Sequence, residues 1–202
     1  MKQLFLGLSF ILISGFAGSE KKEITPADRK FAIDYFLKTK QRLLNDVQKL
    51  SDAQLNYKPD STRWSVAQCI EHIALAENGI WQWCMMTLKN DSAMLIMPER
   101  PLTNEQLIAG VTDRSKKAQA PEVLRPGNQF TGAKEALAAY VSKRDSIIQF
   151  LRTTQEPMET HYMQTPAGTL NVFQGFLLLA AHSERHTLQI EEVMKSPGFP
   201  KK

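Results

Sequence analysis

Four long segments of this chain repeat apolar residues every three or four positions, and this spacing leaves few folds open to it. Apolar residues at that period form one face of an α-helix, whereas a half-buried strand needs strict alternation. Only residues 159–163 hint at alternation. The pattern therefore predicts an all-α protein, with its four long helices at about residues 26–50, 65–89, 133–152 and 171–195.

The starts of the first two helices carry capping residues. Thr25 precedes Pro26, and proline is favoured in the first turn of a helix. Ser65 is followed three residues later by Gln68, which is the pattern of a capping box. Trp64, just before this cap, can pack on the following turn as a hydrophobic staple.

The connection between the second and third helices is unusually long, from Asn90 to Thr131, and contains four prolines. Residues 104–118 within it can form a short helix capped by Thr103. A connection of this length is expected to cross over the other helices and pack on them. The predicted fold is a four-helix bundle with a long crossover between helices 2 and 3.

The first 19 residues differ from the rest of the chain. Lys2 is followed by an apolar stretch at residues 4–16 and by small residues up to Ser19. This order is typical of a secretory signal peptide, and the apolar stretch is shorter than the ~20 residues that span a bilayer. We expect cleavage after Ser19, export to the periplasm or the extracellular space, and no membrane span afterwards. An uncleaved N-terminal anchor is the alternative.

Residues 20–202 are expected to form one domain. Basic and acidic residues are interspersed along the chain, and no basic stripe argues for a nucleic-acid partner. Cys69 and Cys84 fall in one predicted helix, where they would lie ~22 Å apart, too far for a disulfide. Both are expected to be small buried side chains.

Two of the four histidines occupy the apolar face of the last helix. His182 and His186 are four residues apart, so their ring nitrogens can reach one point between them. His72 lies at the edge of the apolar stripe of the second helix, and facing helices in a bundle can bring three imidazoles to one cation. On spacing alone, three unrelated buried histidines remain the alternative.

Several polar residues near these histidines are candidates for supporting roles. Gln68 and Gln189 can hydrogen-bond a ligand ring or a bound water, although plain capping accounts equally well for Gln68. Glu77 lies on the inward stripe and is a candidate acid or base, but a buried salt bridge with Arg144 or Arg185 is the favoured role.

Three further residues have simpler interpretations. Glu184 lies between the paired histidines but is rotated away from their face, which predicts a solvent or dimer contact. His161 is expected to be an ordinary loop side chain. Cys69, one turn before His72, is a weak candidate for a fourth metal ligand.

Two stretches resemble the DinB-like superfamily of four-helix-bundle metalloproteins, which includes bacillithiol transferases of the YfiT type. They are "WSVAQCIEHIALAE" at residues 64–77 and "TPAGTLNVFQGFLLLAAHSERHTLQI" at residues 165–190. In that family one histidine follows a Trp-Ser helix start and two form His-x-x-x-His in the last helix, which correspond to His72, His182 and His186. The resemblance implies a divalent metal, most often zinc or nickel, and frequently a homodimer.

Two functions are compatible with these features. One is an exported metal-dependent enzyme, a thiol transferase or a hydrolase, that acts on a small-molecule substrate through an open three-histidine site. Because low-molecular-weight thiols are chiefly cytoplasmic, the predicted export departs from the thiol-transferase pattern. The other is a non-catalytic bundle that binds a small ligand or a partner protein.

Overall fold

The computed structural model describes residues 23–95, 98, 101–127 and 129–201. The predicted signal segment lies outside these residues. Six α-helices, two 3-10 turns and one β-hairpin form the described part. The helices are α1 Pro26–Val47, α2 Asp52–Asn56, α3 Val66–Leu88, α4 Asn104–Thr112, α5 Ala133–Thr153 and α6 Val172–Met194; the 3-10 turns are Asp91–Leu95 and Glu122–Leu124; the strands are β1 Tyr162–Thr165 and β2 Gly168–Asn171.

The predicted four-helix bundle is confirmed. Helices α1, α3, α5 and α6 pack around one interior, and α4 of the crossover packs against α6. The crossover thus covers one side of the last helix, with Leu107 of α4 buried against the core. None of the helices in the described residues is long and apolar enough to cross a membrane.

The predicted caps of the long helices are present. The hydroxyls of Thr25 and Ser65 accept hydrogen bonds from backbone N–H groups of α1 and α3, and Ser65 forms the capping box with Gln68. Asn171 and Gln174 form the same arrangement at α6. Each cap satisfies donors that a helix start leaves without an internal partner, so the starts are fixed locally.

The structure differs from the predictions at two helix ends and at one hairpin. The first helix ends at Val47, because Ser51 caps the separate short helix α2. Helix α4 ends at Thr112 rather than Ala118, since the Asp113 carboxylate accepts from the backbone N–H and the hydroxyl of Ser115 and stabilises a turn there. The hairpin begins at Tyr162, inside the segment of possible alternation, and continues beyond it to Asn171.

A buried ion pair lies in the middle of the bundle and joins three helices. Arg144 of α5 is fully buried, with its Nε 2.6 Å from Oε1 of Glu77 on α3 and its second guanidinium nitrogen donating to Oε2 at 2.7 Å. The third nitrogen donates to the hydroxyl of Thr39 on α1 at 2.9 Å. This contact assigns Glu77 to the structural role that the sequence favoured, with Arg144 as its partner rather than Arg185.

Glu184 is buried, and the prediction of a solvent or dimer contact for it is wrong. Its carboxylate accepts from the Tyr35 hydroxyl at 2.7 Å and from Arg42 at 3.0 Å. The physical reason is that α6 also packs on α1, so the face of α6 that points away from the histidines is covered. The two residues of α1 therefore satisfy the buried charge.

Helices α3 and α6 approach closely at Gly175. A Cβ there would lie 2.9 Å from Sγ of Cys84 on α3 and 2.6 Å from Sδ of Met163 on β1. Glycine is favoured at this position because a larger residue would have to push the buried side chains of Cys84 and Met163 aside.

We expect Gly175→Ala to lower the free energy of unfolding by about 1–2 kcal/mol, since overpacking outweighs the gain in helix propensity. Gly110→Ala in α4 is the matched control, because a Cβ there meets no atom within 4 Å. Alanine should stabilise that site by up to about 1 kcal/mol. Urea unfolding of both variants measures the difference, and equal stabilisation by the two would contradict the packing account.

Candidate metal centre

Three imidazoles from two helices converge at one point. His72 of α3 places its Nε2 atom 3.3 Å from Nε2 of His182 and 3.1 Å from Nε2 of His186, both on α6. All three potential ligand atoms lie within 4.8 Å of one another. The spacing of four residues puts both α6 histidines on one face of the helix, and the contact of α3 with α6 brings His72 opposite them.

The other ring nitrogens of two histidines are held by hydrogen bonds. Nδ1 of His72 lies 2.7 Å from the carbonyl oxygen of Leu124, and Nδ1 of His186 lies 2.9 Å from Oε1 of Gln189. Both oxygens are acceptors only, so each Nδ1 carries the proton and donates it. Each Nε2 therefore carries a lone pair, and these lone pairs point at the shared centre.

This arrangement fits a metal ion. Nitrogen atoms ~2.0–2.1 Å from a tetrahedral zinc ion are separated by ~3.3 Å, close to the spacing of the imidazoles. Two lone-pair nitrogens at 3.1 Å repel each other unless a proton or a cation lies between them. The donor set is also that of catalytic sites, in which three protein ligands leave a position open.

Burial keeps the three rings neutral near pH 7. It lowers the pKa of His72 and, together with the neighbouring His72, lowers the pKa of His182 to about 3. Burial and the other two histidines hold the pKa of His186 well below its ordinary value. Since only a neutral imidazole can bind a metal, the nitrogens are available without prior loss of a proton.

A family model described as the DinB superfamily matches residues 35–190, which include all three histidines. The chain belongs to the DinB superfamily.

Two similar proteins come from Bacillus subtilis. YuaE of strain 168, an uncharacterized protein, is 24% identical over 150 residues, which cover 74% of this chain and 88% of YuaE. The solved structure of YfiT is described as a probable metal-dependent hydrolase with an unusual four-helix bundle topology. It matches with a TM-score of 0.57 and 16% identity, over 86% of this chain and 90% of YfiT. At that identity the match shows the shared fold.

Trp64 covers part of the three-histidine cluster in this DinB-superfamily chain. Its ring centroid lies 4.9 Å from that of His72 and 6.1 Å from that of His186. The sequence indicated a staple role for Trp64 at the start of α3 but not its contact with the imidazoles. An aromatic ring in this position limits rotation of the rings and keeps water from one side of them.

The remaining predicted site residues lie in other environments. Gln68 accepts from the backbone N–H of Ser65, as its capping role requires. Cys69 does not join the group of ligand atoms formed by the described residues, and burial raises the pKa of its thiol to about 12. The ring of His161 is buried near the carbonyl of Pro157 and the hydroxyl of Thr160.

The crossover contributes contacts that sequence reasoning missed. Arg114, just after α4, donates to Oε1 of Gln189 at 3.3 Å and to both carboxylate oxygens of Glu192. Arg185 of α6 donates to carbonyl oxygens at the end of α4, among them Val111 at 3.0 Å. Leu124 contributes its backbone carbonyl oxygen to His72, and a leucine side chain gives no indication of such a contact. These contacts fix the crossover against the face of α6 that carries the histidines.

Proposed function

We propose that this protein is an exported metal-dependent hydrolase that holds one divalent cation at His72, His182 and His186. The observation that carries the proposal is the convergence of three Nε2 atoms on one point, with the lone pairs of His72 and His186 left free by the hydrogen bonds at Nδ1. The fold shared with YfiT, described as a probable metal-dependent hydrolase, supports the choice of hydrolysis over other metal chemistry. Zinc and nickel are the proposed cations, since imidazole suits both.

The residues around the site would have two roles, which are to bind the cation and to orient the imidazole rings. His72, His182 and His186 would bind the cation, and the Leu124 carbonyl and Gln189 would hold two of the rings in the binding tautomer. When bound, a divalent cation in such a site acts as a Lewis acid and lowers the pKa of a water or a substrate group that reaches it. Glu77 takes no part in proton transfer in this proposal, because Arg144 occupies both of its carboxylate oxygens.

Hydrolytic turnover tests the proposal directly. Protein stripped with a chelator and then reloaded with zinc or nickel is assayed on chromogenic esters, amides and phosphoesters. Turnover should depend on reloading and should fall by at least about 100-fold in His182→Ala, with the helical circular dichroism retained. A reloaded protein that binds metal but turns over none of these substrate classes would favour the non-catalytic binding bundle instead.

Gln189→Ala should weaken metal binding about 10- to 100-fold, because the variant loses the acceptor that holds Nδ1–H of His186. Competition with a chromophoric chelator measures the dissociation constant. Gln189→Glu is the matched control, since it keeps an acceptor oxygen for His186 and also accepts from Arg114. Equal weakening in both variants would show that Gln189 acts only through packing.

Export is part of the proposal and rests on the character of residues 1–19. We expect the secreted or periplasmic protein to begin at Glu20. Intact-mass measurement of protein recovered outside the cytoplasm checks this, and a chain that stays in the cytoplasm with Met1 retained would contradict it.

A further inference from the structure

Glu71 is the residue before His72 on α3, and its carboxylate accepts hydrogen bonds from the backbone of the crossover. Its Oε1 atom accepts from the backbone N–H of Gln129 at 2.8 Å and from that of Gly127 at 3.2 Å. Glu71 is only 9% exposed, so its carboxylate depends on these two donors in place of water. Glu71 thus attaches the segment before α5 to the helix that carries His72.

The same part of the crossover supplies the hydrogen-bond partner of His72. The 3-10 turn Glu122–Leu124 ends three residues before Gly127, and the carbonyl of Leu124 accepts from Nδ1 of His72 at 2.7 Å. The turn closes on itself through a bond from Leu124 N–H to the Pro121 carbonyl at 3.0 Å. A shift of this short segment therefore moves the carbonyl that fixes the ring.

Apolar packing does little to hold this turn in place. None of its three residues is buried, and Val123 is 78% exposed. The Leu124 side chain touches α3 at Gly79, where a Cβ would lie 3.4 Å from Cδ2. With so little apolar area buried, polar anchors have a large share in setting the position of the turn.

We propose that Glu71 is a positioning residue of the metal centre. It holds the crossover so that the Leu124 carbonyl keeps the proton of His72 on Nδ1 and leaves Nε2 free for the cation. This inference rests on the proposed metal site for its effect on affinity, but its effect on the His72 tautomer is a property of the metal-free protein.

Glu135 provides a matched control on the same connection. Its carboxylate accepts from the backbone N–H and the hydroxyl of Thr131, both at 2.6 Å, and anchors the chain just before α5. It is therefore also a carboxylate that holds crossover backbone, but its hydrogen bonds go to Thr131, whereas the backbone N–H groups of Gly127 and Gln129 donate to Glu71. A purely structural effect on the crossover would appear in both variants.

The test compares Glu71→Ala, Glu71→Gln and Glu135→Ala with the wild type. Two readouts are taken: the ring 15N shifts of His72 in the metal-free protein, and zinc affinity by chelator competition. Glu71→Ala should convert His72 from one tautomer to a mixture and weaken zinc binding about 10- to 100-fold. Glu71→Gln keeps an acceptor oxygen and should restore most of both properties, and Glu135→Ala should leave both unchanged.

Each outcome of this test either supports or overturns the role of Glu71. A single His72 tautomer and wild-type zinc affinity in Glu71→Ala would overturn the inference, as would equal losses in Glu71→Ala and Glu135→Ala. A wild type that binds neither zinc nor nickel would overturn the proposed function, while the ring 15N shifts of His72 in the metal-free protein would still test the role of Glu71. If Glu71→Ala fails to fold, Glu71→Asp withdraws the carboxylate by one methylene and should show the same mixture of tautomers.

Discussion

His186→Ala is expected to abolish stoichiometric metal binding. The wild-type protein should retain about one divalent ion per chain after purification in zinc or nickel, whereas the variant should retain almost none. The reason is that two imidazoles cannot hold the ion as three do, and loss of a ligand costs more than the 10- to 100-fold expected for an outer hydrogen-bond partner. Elemental analysis of protein dialysed against metal-free buffer measures the content.

His161→Ala is the matched control for that experiment. His161 is the one histidine of the chain outside the cluster and is also buried, but its ring lies near Pro157 and Thr160 and does not join the three converging rings. Its metal content should equal that of the wild type. Equal metal content in His161→Ala and His186→Ala would remove the basis for the proposed site.

The same pair of variants separates binding from folding. A ligand that binds only the folded state raises the free energy of unfolding by about 2.7 kcal/mol when its free concentration is 100 times the dissociation constant. We expect that increase for the wild type and for His161→Ala, and none for His186→Ala. The comparison holds even if the alanine substitution itself lowers the stability of the metal-free protein.

Arg144→Met should lower the free energy of unfolding by about 3–5 kcal/mol at pH 7.5. The substitution leaves Glu77 buried without the guanidinium that contacts both of its oxygens. The double variant Glu77→Leu with Arg144→Met should recover most of the loss, because it removes the buried carboxyl group that has lost its partner. Urea unfolding of the wild type and of both variants provides the comparison.

The pH dependence of Arg144→Met gives a second test of the ion pair. Burial raises the pKa of Glu77 and the neighbouring Arg144 lowers it, so removal of the positive charge raises this pKa further. Between about pH 4.5 and this raised value the folded variant binds a proton that the unfolded chain has released. Its stability should therefore fall as the pH rises through this window, with no such fall in the double variant. A flat profile for Arg144→Met would contradict the account.

The parts of the structure that could be predicted from sequence are those fixed by local chemistry. The caps at Thr25 and Ser65 and the long apolar periods set the helices, because each depends on residues within one or two turns. His182 and His186 were predictable as a pair for the same reason. Joining them to His72 required a long-range assumption about how the helices face each other, and the resemblance to a known family supplied it.

The parts that escaped prediction depend on long-range or backbone contacts. The Leu124 carbonyl belongs to a residue type with no polar side chain, so nothing in the sequence marks it as the partner of His72. Glu184 was predicted to face outward because only its position on α6 was considered, and the burial comes from α1. The strands of the hairpin are four residues each, too short for their alternation to stand out.

Anomalous diffraction from crystals grown with zinc tests the central claim most directly. We expect one strong peak at the zinc edge, ~2.0–2.1 Å from Nε2 of each of His72, His182 and His186. Nδ1 of His72 should remain on the Leu124 carbonyl. A map with no peak among these three nitrogens, or with zinc only at other side chains, would contradict it.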